Sequence, residues 1–150
     1  MFQSPGMPFF YDLYQHKIKT MKALVILLLI TASSYTLQAQ NIYKGSSKVG
    51  VIEKDGDVYK GSSKIGKIES DGDIYVGSSK VGKIESDGDI YKGSSKVGKV
   101  ESDGDVYRGS SKVGEVESDG DVYRGSSKIG EAEGVRRDWA AVAFFFFFFN

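Results

Sequence analysis

The chain has no cysteine, only two prolines and a single histidine among its 150 residues. From Asn41 to Asn150 there is no Cys, His, Met or Pro at all. Each absence removes a class of chemistry. Without Cys or His there is no zinc site of the usual donors, and no Ser-His-Asp or Cys-His nucleophile can be assembled there. No disulfide and no lipid attached through cysteine are available either, so the chain is not a lipoprotein. Charge of one sign is also missing: 17 Lys or Arg stand against 19 Asp or Glu after residue 40, a net charge near −2. Nothing in that balance points to nucleic acid as a partner.

Long apolar runs are scarce too, with one near each end. Lys22 followed by the apolar Ala23 to Ala32 and the polar Ser33 to Ala39 has the order of a secretory signal peptide, predicted over 21–39 with cleavage after Ala39. Ten apolar residues are too few to span a bilayer, which needs about 20. The Thr36 to Gln40 ending resembles signal peptides of Bacteroidetes-type bacteria. Residues 1–20 fit no part of a signal and read as an upstream extension, Met21 being the better start. The destination expected is periplasmic or extracellular.

What is abundant is repetition. Tyrosines of an Ile/Val-Tyr pair recur every sixteen residues at Tyr43, Tyr59, Tyr75, Tyr91, Tyr107 and Tyr123. Each precedes a Gly-Ser-Ser-Lys segment, and five units close on Asp-Gly-Asp, centred on Gly56, Gly72, Gly88, Gly104 and Gly120. Such self-similarity marks a repeat architecture. Short β-branched runs between turn signals predict two strands per unit, hence an all-β domain over 40–133, followed by an Ala/Phe-rich tail over 134–150. Asp-Gly favours a type I′ turn, in which both central residues have positive φ. Symmetric pairing across Gly-Ser-Ser-Lys would lay Tyr59 over Gly66, an aromatic covering a cross-strand glycine. Apolar residues then fall on both faces, as they would in hairpins stacked around an axis.

The pattern I-Y-x-G-S-S-K-V-G-K-I-E-S-D-G-D behind a signal peptide resembles the five-fold β-flower proteins, secreted repeat proteins of Bacteroidetes-type bacteria. The likeness covers residues 42–133 and extends to the phenylalanine ending. It implies about five hairpin petals around a pseudo-five-fold axis, and no reaction. MORN repeats share Tyr-x-Gly more weakly, but their units are longer.

Candidate sites divide between chemistry and architecture. Asp55, Asp57, Asp71 and Asp73 could offer oxygens to calcium, but two carboxylates per tight turn fall short of the six to eight it takes. Turn formation explains them better, and no metal or cofactor is expected. Glutamates recurring at Glu53, Glu69, Glu85, Glu101, Glu117 and Glu133 share near-identical surroundings, whereas catalytic carboxylates need environments that separate their pKa values. No enzyme is expected. Tyr59, Tyr75, Tyr91, Tyr107 and Tyr123 could stack sugars, or could simply pack. Phe144 to Phe149 exceed what one helix or strand can place on one face. Some rings are therefore expected to face lipid, another chain or solvent, while others pack on the repeats. The reading is a secreted, non-enzymatic structural or interaction module of unknown role. The alternative is a module that binds carbohydrate or another envelope polymer through a ring of tyrosines.

Overall fold

The computed structural model describes residues 11, 13–19 and 40–150, in two separate units. Residues 13–19, in the first unit, are helical. The proposed signal segment and its cleavage point lie outside the described residues.

In the second unit every repeat forms a β-hairpin. Petal 1 joins β1 (Gln40–Lys44) to β2 (Ser47–Ile52), and petal 2 joins β3 (Asp57–Lys60) to β4 (Ser63–Ile68). Petal 3 is β5 (Asp73–Val76) with β6 (Ser79–Ile84), and petal 4 is β7 (Asp89–Lys92) with β8 (Ser95–Val100). Petal 5 pairs β9 (Asp105–Arg108) with β10 (Ser111–Val116); petal 6 pairs β11 (Asp121–Arg124) with β12 (Ser127–Ala132). All neighbours are antiparallel, and β12 returns to β1 through Ile42↔Ala132, Tyr43↔Glu131 and Lys44↔Gly130. The result is a closed barrel of twelve strands. Six petals therefore replace the five expected. Counting Asp-Gly-Asp turns missed one, because the sixth junction is made by strand pairing between the two ends of the repeat region and needs no turn.

The Asp-Gly-Asp turn departs from expectation in detail. In the Asp-Gly-Asp loop only glycine has positive φ, +88° at Gly56 and +93° at Gly72. Gly56 N–H donates to Glu53 O (2.9 Å) and Glu53 N–H to Asp57 O (2.8 Å). That is a three-residue loop, a type I turn closed by a left-handed glycine, rather than type I′. Asp55 Oδ1 accepts from the Asp57 N–H (3.1 Å), which rigidifies it. At the other end Lys60↔Ser63 flank a two-residue Gly61-Ser62 turn with φ +60° at Gly61, the sign pattern of type II′.

A β-bulge follows each Gly-Ser turn and decides which side chains face inward. Tyr59 pairs with Lys64, but the next pair is Val58↔Gly66, so Ile65 is the extra residue. Val58, Gly66 and Ile68 consequently share the inner face and are buried, while Tyr59 is turned outward and half-buried. The symmetric register that would have placed Tyr59 over Gly66 does not form.

The axis of the barrel is filled by the tail. After Gly134 the chain forms a short helix, α1 (Arg137–Ala141), that widens into a π-helical turn over Val142–Phe147. Ala140, Ala141, Val142 and Ala143 are fully buried, together with the inward Ile and Val rows. Beyond them come the six phenylalanines, each against one petal's inner glycine. Phe144 meets Gly130, Phe145 Gly114 and Phe146 Gly98; Phe147 meets Gly82, Phe148 Gly66 and Phe149 Gly50. Successive residues thus step round successive petals in reverse chain order. One residue per petal is about 60° of rotation, against about 100° for the 3.6 residues per turn of an α-helix. The backbone opens to reach that step: Phe148 N–H (3.3 Å) and Phe149 N–H (2.8 Å) both donate to Ala143 O, five and six residues back.

This arrangement overturns the expectation that some rings must face outward. Phe144, Phe145, Phe146 and Phe149 are buried, and Phe147 and Phe148 are partly so. No single face can hold six rings, but a wall that surrounds the helix has no unfavoured side.

Candidate functional site

Outside the plugged axis, two surfaces carry repeated chemistry. One is the outer belt of the barrel. Each belt tyrosine lies between two cross-strand neighbours: Tyr75 between Lys67 and Lys80, Tyr91 between Lys83 and Lys96, Tyr107 between Lys99 and Lys112. Tyr59 has Val51 and Lys64 beside it, and Tyr123 has Glu115 and Lys128. Two residues before each tyrosine an aspartate points the same way, since strand side chains alternate. That aspartate takes the lysine of the Gly-Ser-Ser-Lys segment in an ion pair. Lys64 reaches Asp57, Lys96 reaches Asp89, and Lys80–Asp73, Lys112–Asp105 and Lys128–Asp121 close at 2.5 Å. Lys67 adds a second contact to Asp57 at 2.9 Å.

Electrostatics follow from these pairs. Burial pushes the Asp57 carboxyl up, but the hydrogen bonds from Lys64 and Lys67 outweigh it and hold it below the usual 3.8. Lys67, Lys80, Lys96, Lys112 and Lys128 are raised above 10.5, chiefly by the aspartate each one bonds. Partial burial and then the Asp105 charge raise Tyr107; Tyr123 is raised by burial and then Glu117. All of these shifts strengthen the charge state already present at neutral pH. None creates a group poised to accept or give a proton there.

The belt is not smooth. A groove of about 530 Å3 runs between petals 3 and 4, lined by Lys80, Val81, Lys83, Glu85, Tyr91 and Ser94. It places one aromatic ring beside two ammonium groups, a carboxylate and a hydroxyl.

The acidic turns gather donors closely enough to be weighed as cation sites. Glu53, Asp55 and Asp57 bring one oxygen each to within 4.8 Å of one another, as do Glu69/Asp71/Asp73 and Glu117/Asp119/Asp121. Those oxygens are largely spoken for. Asp57 faces two lysines, and Asp55 Oδ1 holds the Asp57 N–H. Three carboxylates, two of them already engaged, do not make the shell of six to eight oxygens that calcium takes.

The second repeated surface escaped sequence reasoning. The residue after each tyrosine faces inward at the Gly-Ser rim, giving Lys44, Lys60, Val76, Lys92, Arg108 and Arg124. Lys44 Nζ donates to Phe149 O (2.7 Å) and Arg108 Nη2 donates to Phe145 O, supplying carbonyls at the end of the π-turn with charged donors. Arg108 also lies over the Phe146 ring (5.4 Å) and Arg124 over Phe145 (5.7 Å). The available signal was numerical: six phenylalanines for six Gly-Ser-Ser-Lys segments.

Residues 39–148 match the family described as 5-fold beta-flower protein. No curated protein and no solved structure matches the chain. The match spans the repeats and the tail that the twelve-stranded barrel encloses, so the chain belongs to the β-flower family.

Proposed function

We propose that this protein is an exported, non-enzymatic interaction module, whose working surface is the outer belt of equivalent petals. The observation that carries this is the sameness of the belt. Five of the six petals hold the same Lys–Asp ion pair beside the same outward tyrosine. Chemistry on a substrate asks for two groups in unlike environments, whereas multivalent contact is served by like ones. Export rests on the leader over 21–39. Peptide mapping of the native protein should find Gln40 first, and a mature protein that retains 1–20 would defeat the export reading.

A second reading is favoured by the groove beside Tyr91: the belt binds a carbohydrate or related envelope polymer, one short stretch per petal. A half-exposed ring flanked by ammonium and carboxylate groups suits the faces and hydroxyls of sugars. Affinity capture from an envelope fraction, followed by titration with the captured polymer, separates the two. Tyr75→Ala, Tyr91→Ala and Tyr107→Ala introduced together should weaken polymer binding far more than any one alone, because linked sites multiply. Equal binding by the triple variant would remove the tyrosine belt from the account.

A further inference from the structure

The two rims of the barrel carry opposite charge, and topology requires it. In an up-and-down barrel the two turn types alternate, so every Asp-Gly-Asp turn lies at one end and every Gly-Ser-Ser-Lys turn at the other. The first rim presents Glu53 and Asp55 and their repeats. The second presents the lysines and arginines that flank Gly-Ser-Ser, with no carboxylate in those turns. At that rim most outer lysines are already bound to belt aspartates. Lys48 is the exception: Asn41 stands where the other petals have aspartate, and it has no ion pair among the described residues. Lys60 and Lys92 are likewise exposed and unpaired among the described residues.

The acidic rim is also hollowed. A depression of about 650 Å3 opens between the turns that follow petals 2, 3 and 4 and the start of α1, and Asp71, Glu85, Asp87 and Glu101 line it. Two cations stand beside it, but both are taken: Arg136 is paired with Asp138, and Arg137 Nη1 donates to Ser102 O. Asp71 and Asp87 each accept one backbone N–H, from Asp73 and Asp89, but none of Asp71, Glu85, Asp87 and Glu101 is in an ion pair among the described residues.

We propose that copies of this chain stack head to tail along the barrel axis, the basic rim of one seated on the acidic rim of the next. Both rims share the same twelve-strand perimeter, so one copy's turns meet the next copy's in register. Residues 41–150 carry a net charge of only about −2, which leaves little net repulsion along the column. Such an interface joins unlike surfaces and does not close on itself, so it extends into a column rather than ending at a dimer.

Sedimentation and light scattering of the full chain test this. At low ionic strength the mean mass should exceed one chain several-fold and rise with concentration. In about 1 M salt, where the Debye length is about 3 Å, it should fall to that of one chain. A basic-rim variant (Lys48→Gln, Lys60→Gln, Lys92→Gln) and an acidic-rim variant (Glu85→Gln, Glu101→Gln, Glu117→Gln) leave the plug contacts intact. Each alone should associate about tenfold more weakly or worse. Mixed in equal amounts they retain one good interface between them and should stop at pairs. Wild type that stays at one chain's mass at low salt overturns the proposal. So does mass that grows with salt, the mark of apolar association, or either variant assembling like wild type. Monomeric wild type that binds polyphosphate, with loss in the basic-rim variant, would assign that rim to a foreign polyanion and equally overturn stacking.

Discussion

A glycine and a phenylalanine define each petal's inner surface. A Cβ built on Gly66 would lie 2.2 Å from the Tyr75 carbonyl oxygen and 2.6 Å from the Phe148 ring. Neither neighbour has room to give, since the first is ladder backbone and the second is wedged in the hub. Gly66→Ala should therefore destabilise by about 3 kcal/mol, at the upper end of what overpacking costs. Gly61→Ala is the control. Its φ of +60° is strained for alanine, but nothing lies within 4 Å, so the loss should be about 1 kcal/mol. Denaturant melts of the two variants should show that order, and equal losses would place the constraint in the backbone rather than the hub. Asp57 illustrates a second residue-scale effect. Its lowered carboxyl contributes stability that is present above the unfolded value of 3.8 and lost as pH falls through the folded one. Asp57→Asn should lower stability at neutral pH and flatten the acid limb of a stability–pH curve, so that variant and wild type converge as pH falls through the folded carboxyl's range.

At the scale of the element, the π-turn is what makes the barrel a folded body. Burial of a phenylalanine contributes about 1.5–3 kcal/mol, so six amount to on the order of 10 kcal/mol. Whole domains are stable by only about 5–15 kcal/mol. Removing Phe144 to Phe149 should abolish the cooperative unfolding transition rather than shift it, with Trp139 emission as the readout. Single truncations should grade with burial: Phe145→Ala near 3–5 kcal/mol and the only partly buried Phe147→Ala less. A truncated chain that melts as wild type would mean that the petals stand without their hub.

For the whole molecule, the number of petals and the number of tail aromatics have to agree, because each ring occupies one glycine-floored slot. Deleting one sixteen-residue unit, residues 77–92, should leave a ten-stranded wall too narrow for six rings and lower the thermal midpoint sharply. Deleting Phe147 as well, the ring that faces Gly82 of that unit, should recover much of the loss. Recovery by removal of a ring is the distinctive outcome, since deleting a buried side chain ordinarily adds to the damage. No recovery would show that hub and wall are not matched one to one. The pH response belongs to this scale too. Residues 41–150 hold no histidine, so no side chain there has an ordinary pKa between 5 and 8. Lys80, Lys96 and Lys128, raised above 10.5, keep their contribution fully below that value and lose it only as pH rises through the folded ones. Stability should be level through neutrality and decline at both extremes, and a break near pH 6.5 would contradict this.

Local chemistry alone determined the strands and the places of the turns: β-branched runs with Tyr between glycine-bearing loops leave few other conformations open. It also determined the sixteen-residue period and the family resemblance, since repetition is visible inside one chain. The side chains' facing was not legible, because a bulge after Gly61 shifts register by one residue, and one residue exchanges inside for outside. Symmetric pairing puts Tyr59 over Gly66, whereas Phe148 is the ring that lies there. The petal count depended on ring closure, a contact between Ile42 and Ala132 at opposite ends of the repeats that no local signal announces. The role of the phenylalanines likewise had no local meaning. Six apolar rings in a row read as excess surface until a surrounding wall exists, and only the closed barrel supplies a buried direction for each.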